Sequence, residues 1–259
     1  MLPFISQSMI GQFYRCPEQF RRRWIDKEII PPGIAARRGT AVHKAAAVNH
    51  LQKIVSMTDL PLGDLQDAAR DEYVRVVKEG IFIPKEEAPA AKKLIGAGLD
   101  SAVSLTEVYH RDLAPQIQPI MAEERQIIDV GLPVELQGTI DVVTDSRWLP
   151  DMKTAAKSKS INEAHNSLQL TFYSGLYYSK FGHWPEKLSL EILVATKDPK
   201  LQSLETTRGM DDWQQLLARI QLMLAQIETG LFPPCDPGSW ICSPQWCGYF
   251  SSCKFSNRR

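Results

Sequence analysis

The sequence lacks a long apolar run, a net charge and an N-terminal leader, and each absence excludes a class of protein. No stretch approaches the roughly 20 consecutive apolar residues that span a bilayer. The 30 basic residues balance the 30 acidic ones, so a polyanionic partner would have to bind a local basic patch. The opening MLPFISQSMIGQF has neither the basic region nor the small-residue cleavage site of a secretory leader. We therefore expect a cytoplasmic protein without a membrane partner.

Internal repeats, low-complexity segments, a nucleotide-binding lysine loop and a DNA-reading helix-turn-helix or zinc finger are also missing. The chain is therefore not expected to be a molecular motor or a reader of base sequence. Its 259 residues, 44% of them hydrophobic, suffice to bury a substantial core. We expect a single domain over residues 1–259.

Sequence periodicity divides the chain into a helical first half and a second half in which strands and helices alternate. Residues 50–118 carry helical patterns without a strand signal and are predicted to form a helical insertion. Four β-prone segments follow: PIMAEERQII (119–128), LPVELQGTIDVVTD (132–145), RWLPDMK (147–153) and KLSLEILVAT (187–196). Between the last two, Ser160 and Glu163 form a predicted capping box at the start of a helix. The predicted class is α/β, with a small mixed sheet flanked by helices.

Two of the predicted strands carry acidic residues between apolar ones, and the second also carries a lysine. In GTIDVV, Ile140 and Val142 are expected on one face and Asp141 on the other, because side chains alternate along a strand. In DMK the same period places Asp151 and Lys153 on one face, roughly 6–7 Å apart. If the two strands pair as a hairpin, the two aspartates converge on one divalent cation.

This acid–acid–lysine group has two interpretations. Mg²⁺ prefers oxygen ligands and is often held by carboxylates together with water and a substrate phosphate, and a lysine beside it would offset developing negative charge. Alternatively, the charges only solvate a surface hairpin. D-x-K alone is a weak signal, and the GTID segment ten residues upstream makes the two interpretations about equal.

Five short motifs, found in the expected order, resemble the PD-(D/E)XK nuclease superfamily and most closely its RecB-like branch. They are G-x-x-x-H at 39–43, a glutamate in AEERQI, G-x-x-D at 138–141, D-x-K at 151–153 and Q-x-x-x-Y at 169–173. The resemblance implies a restriction-endonuclease-like core, one or two Mg²⁺ or Mn²⁺ ions, and catalysis by Lys153. The implied metal ligands are His43, Asp141, Asp151 and the backbone carbonyl of Met152.

Only one of the two adjacent glutamates in AEERQI can face such a site. We expect it to be Glu124, because that register places Met121 and Ile127 together on the opposite face of the strand. Glu123 is the alternative.

The other motif residues also have structural alternatives. His43 alone is more often an ordinary helix histidine than a ligand, although an imidazole beside two carboxylates would favour Mn²⁺. Gln169 and Tyr173 lie at i and i+4 on one side of a helix. They are expected either to form a half-buried amphipathic pair or to hold a phosphate of the cleaved strand or the lysine.

The five cysteines are unevenly distributed, with Cys16 near the start and four in residues 235–259. Cys242, Cys247 and Cys253 lie among aromatic residues. In a reducing compartment such clusters indicate metal more often than disulfides. Three thiolates need a fourth ligand to complete a four-cysteine site, and Cys16 is the candidate.

This arrangement resembles a RecB-like subset that includes AddB-type and some CRISPR-associated nucleases. In that subset one early cysteine in a "CP" context and three late cysteines hold a [4Fe–4S] cluster, although the usual late pattern is C-x2-C-x5-C and this chain has four residues in the first gap. The resemblance implies a structural cluster that joins the cysteine-rich segment to Cys16. Zinc and unliganded thiols are the alternatives, and Cys235 is either a bystander or a substitute for Cys242.

We therefore expect a metal-dependent DNA exonuclease that acts on DNA ends or single strands in recombination, repair or phage or CRISPR DNA processing. The alternatives are a structure-directed endonuclease and a non-catalytic DNA-binding module of the same fold. Without motor motifs the protein would act alone or with a separate helicase or recombination protein. Basic segments at 21–24, 36–38 and 153–160 could follow a DNA backbone, with Tyr14 or Trp24 stacked on bases, or could simply be solvated faces.

Overall fold

The computed structural model describes residues 2–236 and 238–256 and places two small sheets between two groups of helices. The helices are α1 Gln7–Arg15, α2 Pro17–Phe20, α3 Ile34–Ser56, α4 Leu62–Lys78, α5 Ala91–Val108, α6 Asn162–His165, α7 Leu168–Phe181 and α8 Met210–Glu228. The strands are β1 Phe4–Ile5, β2 Pro119–Ile128, β3 Glu135–Thr144, β4 Trp148–Ala155, β5 Lys187–Val194 and β6 Lys200–Thr206. The predicted α/β class is confirmed.

The strands form two three-stranded sheets, in the orders β1-β3-β2 and β4-β5-β6. β2 and β3 are antiparallel, and β1 runs parallel to β3. β4 and β5 are parallel and are connected through α6 and α7, as parallel neighbours require. β6 returns antiparallel to β5.

The predicted hairpin between β3 and β4 is wrong, since the ladders of the described residues pair these two strands only with other strands. The turn 145–147 is tight: Arg147 donates its backbone N–H to the Thr144 carbonyl, and Trp148 donates to the Thr144 hydroxyl. Arg147 itself has a left-handed φ of 60°. The chain therefore leaves the first sheet at this turn and starts the second one.

Two hydrophobic cores lie on opposite sides of the strands. The first is formed by α1, α2, α7 and α8 with the sheets, and includes Phe20, Phe172 and Ile220. The second lies under α3, α4 and α5 and includes Tyr73 and Tyr109. Residues 50–118 consist of helices and their connections, and pack on α3 and the sheets; that they are an insertion stays a prediction.

Two local predictions need correction. Ser160 and Glu163 do not cap the long helix, because α7 begins six residues after Asn162 and is capped by Ser167, whose hydroxyl accepts a hydrogen bond from the Leu170 N–H at 3.2 Å. Strand β6 was not predicted: its sequence KLQSLET has a weak alternation and it pairs at the edge of its sheet.

Two glycines on α5 differ sharply in their surroundings. A Cβ at Gly98 would lie 2.8 Å from Ile34 Cγ2 and closer still to the Tyr73 hydroxyl, which donates a hydrogen bond to the Ile95 carbonyl. A Cβ at Gly96 would meet nothing within 4 Å. Gly98 therefore allows α5 to approach α4, whereas Gly96 has no packing role.

We predict opposite effects for alanine at these two positions. Gly98→Ala should lower the free energy of unfolding by about 1–3 kcal/mol through overpacking, whereas Gly96→Ala should raise it by roughly 0.5–1 kcal/mol through helix propensity. Urea unfolding of both variants measures this. Equal effects at the two positions would contradict the packing described for α4 and α5.

Candidate active site

Five elements contribute polar side chains to one open cleft of about 780 Å³. The predicted site residues among them are His43 from α3, Glu123 from β2, Asp141 from β3 and Lys153 from β4. α3 lies close to β4 at Gly39, where a Cβ would be 3.3 Å from the Thr154 hydroxyl oxygen. The glycine of the G-x-x-x-H motif thus lies at the contact between the strands and the helix that carries the histidine.

His43 and Asp141 form the first contact in the cleft, with 3.3 Å between Nδ1 and Oδ2. Burial by itself would lower the pKa of His43, but the hydrogen bond and charge of Asp141 outweigh it and the pKa is raised. Burial would likewise raise the pKa of Asp141, but His43 and the Lys153 ammonium outweigh it and the pKa is lowered. Asp141 is therefore ionised and partnered at neutral pH.

Asp151 is buried, with only 3% of its surface exposed. Its Oδ1 accepts hydrogen bonds of 3.0 Å from Lys153 Nζ and from Gln169 Nε2. Oδ2 lies 2.9 Å from Lys153 Nζ but receives no hydrogen bond of acceptable geometry. Burial raises the pKa of Asp151, which the Lys153 ammonium opposes and the Asp141 carboxylate reinforces. A positive charge at this carboxylate would thus be strongly stabilising.

Asp141 and Asp151 lie near each other although their strands belong to different sheets. Both line a cavity of about 10 Å³ together with Tyr173 and apolar residues, and the charge of Asp141 contributes to the raised pKa of Asp151. The expected alternation on β3 does not hold, because Ile140 packs in the first core and Val142 in the second.

Gln169 and Tyr173 lie one turn apart on α7, as expected from their spacing. Gln169 Nε2 lies 3.3 Å from the Tyr173 hydroxyl as well as bonding Asp151. The glycine of G-x-x-D explains how α7 comes so near: a Cβ at Gly138 would lie 2.8 Å from Leu176 Cδ1 and 2.9 Å from Phe172 Cε1. Met152, between Asp151 and Lys153, packs its side chain in the second core.

The expectation that Glu124 faces the site is wrong. Glu124 forms an ion pair with Lys180 on the outside of α7, whereas Glu123 lines the cleft. Burial and the nearby Asp141 raise the pKa of Glu123, against His43 and Lys44. Glu123 has a left-handed φ of 53°, which breaks the alternation from which the register was predicted.

His50 was missed by the sequence analysis. It lies seven residues, two helical turns, after His43 and so on the same side of α3, a spacing that could have drawn attention to it. It is only 5% exposed, its Nε2 has no hydrogen-bond partner in the described chain, and it lines a small cavity with Glu123 and Asp141. Burial lowers its pKa to about 4, against the effect of Asp141.

Within residues 2–236 and 238–256, no three His, Cys, Asp or Glu side chains are arranged as a ready metal-binding group. The donor set of the cleft nevertheless fits a hard divalent cation. It offers carboxylate oxygens and one imidazole, and the buried Oδ2 of the adjacent Asp151 has the Lys153 ammonium 2.9 Å away and no other donor among the described residues.

All five cysteines line a single cavity beside α2. The Cys235 N–H lies 3.3 Å from Cys16 Sγ, and Gln19 donates to Cys247 Sγ at 3.0 Å. Burial, together with Cys16 and Cys242, raises the pKa of the Cys235 thiol to about 12. Cys235 thus belongs to the thiol group rather than lying apart from it.

Most of the candidate DNA-contacting groups near the N-terminus are occupied within the protein. Arg21 pairs with Glu18, and Arg22 pairs with Glu28. Arg37 donates to the Gly80 carbonyl. The candidate stacking residues also make hydrogen bonds within the protein, since the Tyr14 hydroxyl donates to the Arg219 carbonyl and the Trp24 indole N–H donates to the Gln12 side chain.

A sequence profile of the PD-(D/E)XK nuclease superfamily matches residues 5–254. The chain belongs to this superfamily. As a PD-(D/E)XK nuclease it has the expected restriction-endonuclease-like fold, and DNA is the substrate that membership implies. None of the curated proteins matches the sequence.

The PD-(D/E)XK nuclease is also similar to proteins of known structure. A crystal structure of a candidate exonuclease from Eubacterium rectale gives a TM-score of 0.64 at 11% identity, covering 96% of this chain and 88% of that chain. A second structure, SSO0001, gives a TM-score of 0.46 at 14% identity, covering 98% and 87%. The first likeness supports the fold.

None of the described helices combines the length and apolarity of a membrane-spanning segment.

We predict that His50 makes stability depend on pH. The unfolded chain takes up a proton at His50 near pH 6.5, whereas the folded one does so only near pH 4. The free energy of unfolding should therefore fall as pH drops from about 6.5 to 4, by up to ~3 kcal/mol from this residue. In urea unfolding of metal-free protein, His50→Gln should show a shallower fall than wild type over this window. Identical pH dependences would contradict the prediction.

Proposed function

We propose that the protein is a divalent-metal-dependent DNA exonuclease of the RecB-like branch, acting on DNA ends or single strands. The observation that carries the proposal is an open cleft lined by a lysine, by a carboxylate paired with a histidine and by a further glutamate, with the lysine bonded to a buried aspartate behind it. Superfamily membership supports nuclease chemistry. The neighbouring structure, itself named a candidate exonuclease, is in keeping with the finer proposal.

The residues that would hold Mg²⁺ or Mn²⁺ are His43, Asp141, Asp151 and the carbonyl of Met152. When bound, such an ion polarises a phosphoryl oxygen and lowers the pKa of its water. Asp151 is the ligand most clearly prepared for it, because its carboxylate is buried and its Oδ2, 2.9 Å from the Lys153 ammonium, accepts no further hydrogen bond from the described residues. His43 tilts the preference toward Mn²⁺.

In this proposal the chain's own groups act around the scissile phosphate. Lys153, already bonded to Asp151, orients the attacking water and offsets negative charge that develops on the phosphate. Glu123 replaces Glu124 as the third acidic residue. Gln169 fixes the Asp151 carboxylate, and Tyr173 closes the gap beside it.

End-dependence is tested with plasmid DNA in Mn²⁺. The exonuclease proposal predicts that linear plasmid is degraded while covalently closed circles persist over the same time. Lys153→Ala should abolish degradation, and Lys93→Ala, which changes an exposed lysine on α5 outside the cleft, is the matched control. Nicking or linearisation of closed circles by wild type would establish an endonuclease instead. DNA binding without any cleavage would establish a non-catalytic module.

The adjacent glutamates provide a test of the corrected register. Glu123→Gln should lower kcat on linear DNA by ~10–100-fold, as loss of a group beside a metal site does. Glu124→Gln breaks only the exposed ion pair with Lys180, worth little, and should change kcat less than about twofold by that argument. A loss confined to Glu124→Gln, or equal losses, would contradict the site geometry.

We also propose a structural [4Fe–4S] cluster held by Cys16, Cys242, Cys247 and Cys253, with zinc as the alternative. Its support is the convergence of the thiols on one cavity and the soft character of thiolate ligands. The cluster would tie the C-terminal segment to α2.

An associated helicase or recombination protein would supply the motor function that the sequence lacks.

Purification without oxygen tests this proposal. Wild type should show a broad visible absorption with stoichiometric iron and sulfide, and Cys253→Ser should lose both. Cys242→Ser and Cys235→Ser decide which of these two thiols is the ligand, since only one variant should lose iron. Bound zinc without iron, or iron retained by Cys253→Ser, would overturn the iron–sulfur proposal.

A further inference from the structure

A second cleft, of about 670 Å³, opens on the other side of Lys153. The two clefts share Lys153 and Thr154, so both open onto the same lysine. Gln169, which bonds Asp151, lines the second cleft as well. A phosphate held at Lys153 would therefore have one neighbouring nucleotide on each side of the β4 end.

The second cleft is rich in amide groups. Gln7, Asn162 and Asn166 line it, and within the described part of the chain their side-chain amides make no hydrogen bond. Two further charged residues of the lining, Lys159 and Glu163, lie 3.8 Å apart and offset each other. Free amides suit a base edge better than a phosphate, which Lys153 in the same lining would take.

The floor of this cleft is apolar, formed by Leu168, Leu190 and Ile192. Apolar surface beneath a ring of hydrogen-bonding groups is the usual composition of a site for a small organic ligand, for which volumes of about 300–1,000 Å³ are typical. The space thus accommodates a base and its sugar.

We propose that this cleft binds an unpaired nucleoside of the strand being cleaved, next to the scissile phosphate, with Asn162, Asn166 and Gln7 bonded to the base edge. Amides that take up the base edge compete with its complementary strand, so the substrate is single-stranded at this position. The inference rests on the proposed nuclease function and specifies its substrate as single-stranded DNA or an unwound end.

Binding measurements test the inference separately from catalysis. In Ca²⁺, fluorescence anisotropy with a labelled single-stranded oligonucleotide should show that Asn166→Ala weakens binding about fivefold, the effect of losing one hydrogen bond. Asn162→Ala should act similarly. Gln214→Ala, an exposed amide on α8 outside the cleft, should bind as wild type does. Circular dichroism checks that each variant is folded.

An abasic oligonucleotide of the same length keeps the phosphates and sugars but removes the bases. Wild type should bind it more weakly, and Asn166→Ala should cause no further loss with it. Unchanged binding of ordinary oligonucleotide by both asparagine variants, or an equal loss with the abasic strand, would overturn the inference.

Cleavage measurements distinguish the failure of the inference from failure of the proposed function. The variants should raise KM for single-stranded DNA and leave Mn²⁺-dependent hydrolysis of bis(p-nitrophenyl) phosphate, which has no base, unchanged. If wild type hydrolyses neither substrate, the proposed function fails while the binding result still decides the inference. If the small substrate is hydrolysed and KM for DNA does not change in the variants, only the inference fails.

Discussion

The candidate site depends on the environment of one carboxylate, Asp151. It is almost fully buried; one oxygen accepts hydrogen bonds from Lys153 and Gln169, and the other has the same Lys153 ammonium 2.9 Å away. Removing a charge from water is costly unless it is paired, so this group is stable only beside a cation, of which Lys153 is the permanent one. The buried Asp151 is held by the lysine two residues later and by the amide of Gln169. Together these contacts orient one face of β4 toward the cleft.

Close approach of helices to strands brings the remaining groups to that face. Gly39 lets α3 lie against β4, and Gly138 lets α7 lie against β3. A side chain at Gly138 would collide with Phe172 and Leu176 of α7, the helix that carries Gln169, whereas one at Gly39 would make a single close contact with the Thr154 hydroxyl. The site is maintained although β3 and β4 belong to different sheets, because helices on both sides hold the two strands together.

Much of the site was predictable because its residues lie at regular spacing on single elements. Asp151 and Lys153 share a strand face, and Gln169 and Tyr173 share a helix face. The predictions that were wrong depended on local departures from regular backbone geometry, which composition does not encode. Because Glu123 has a left-handed backbone conformation, it faces the site in place of Glu124. The chain leaves the first sheet at the turn around Arg147, so β4 belongs to the other sheet. His50 was overlooked because its significance comes from tertiary burial.

The central claim is that Asp141 and Asp151, from different sheets, share one cation. Anomalous diffraction from crystals soaked in Mn²⁺ tests it most directly. A peak is expected between these two carboxylates, within coordination distance of His43 Nε2 or Nδ1 and near Lys153. A peak bound to only one aspartate or located elsewhere, in crystals of protein that cleaves DNA with Mn²⁺, would contradict it.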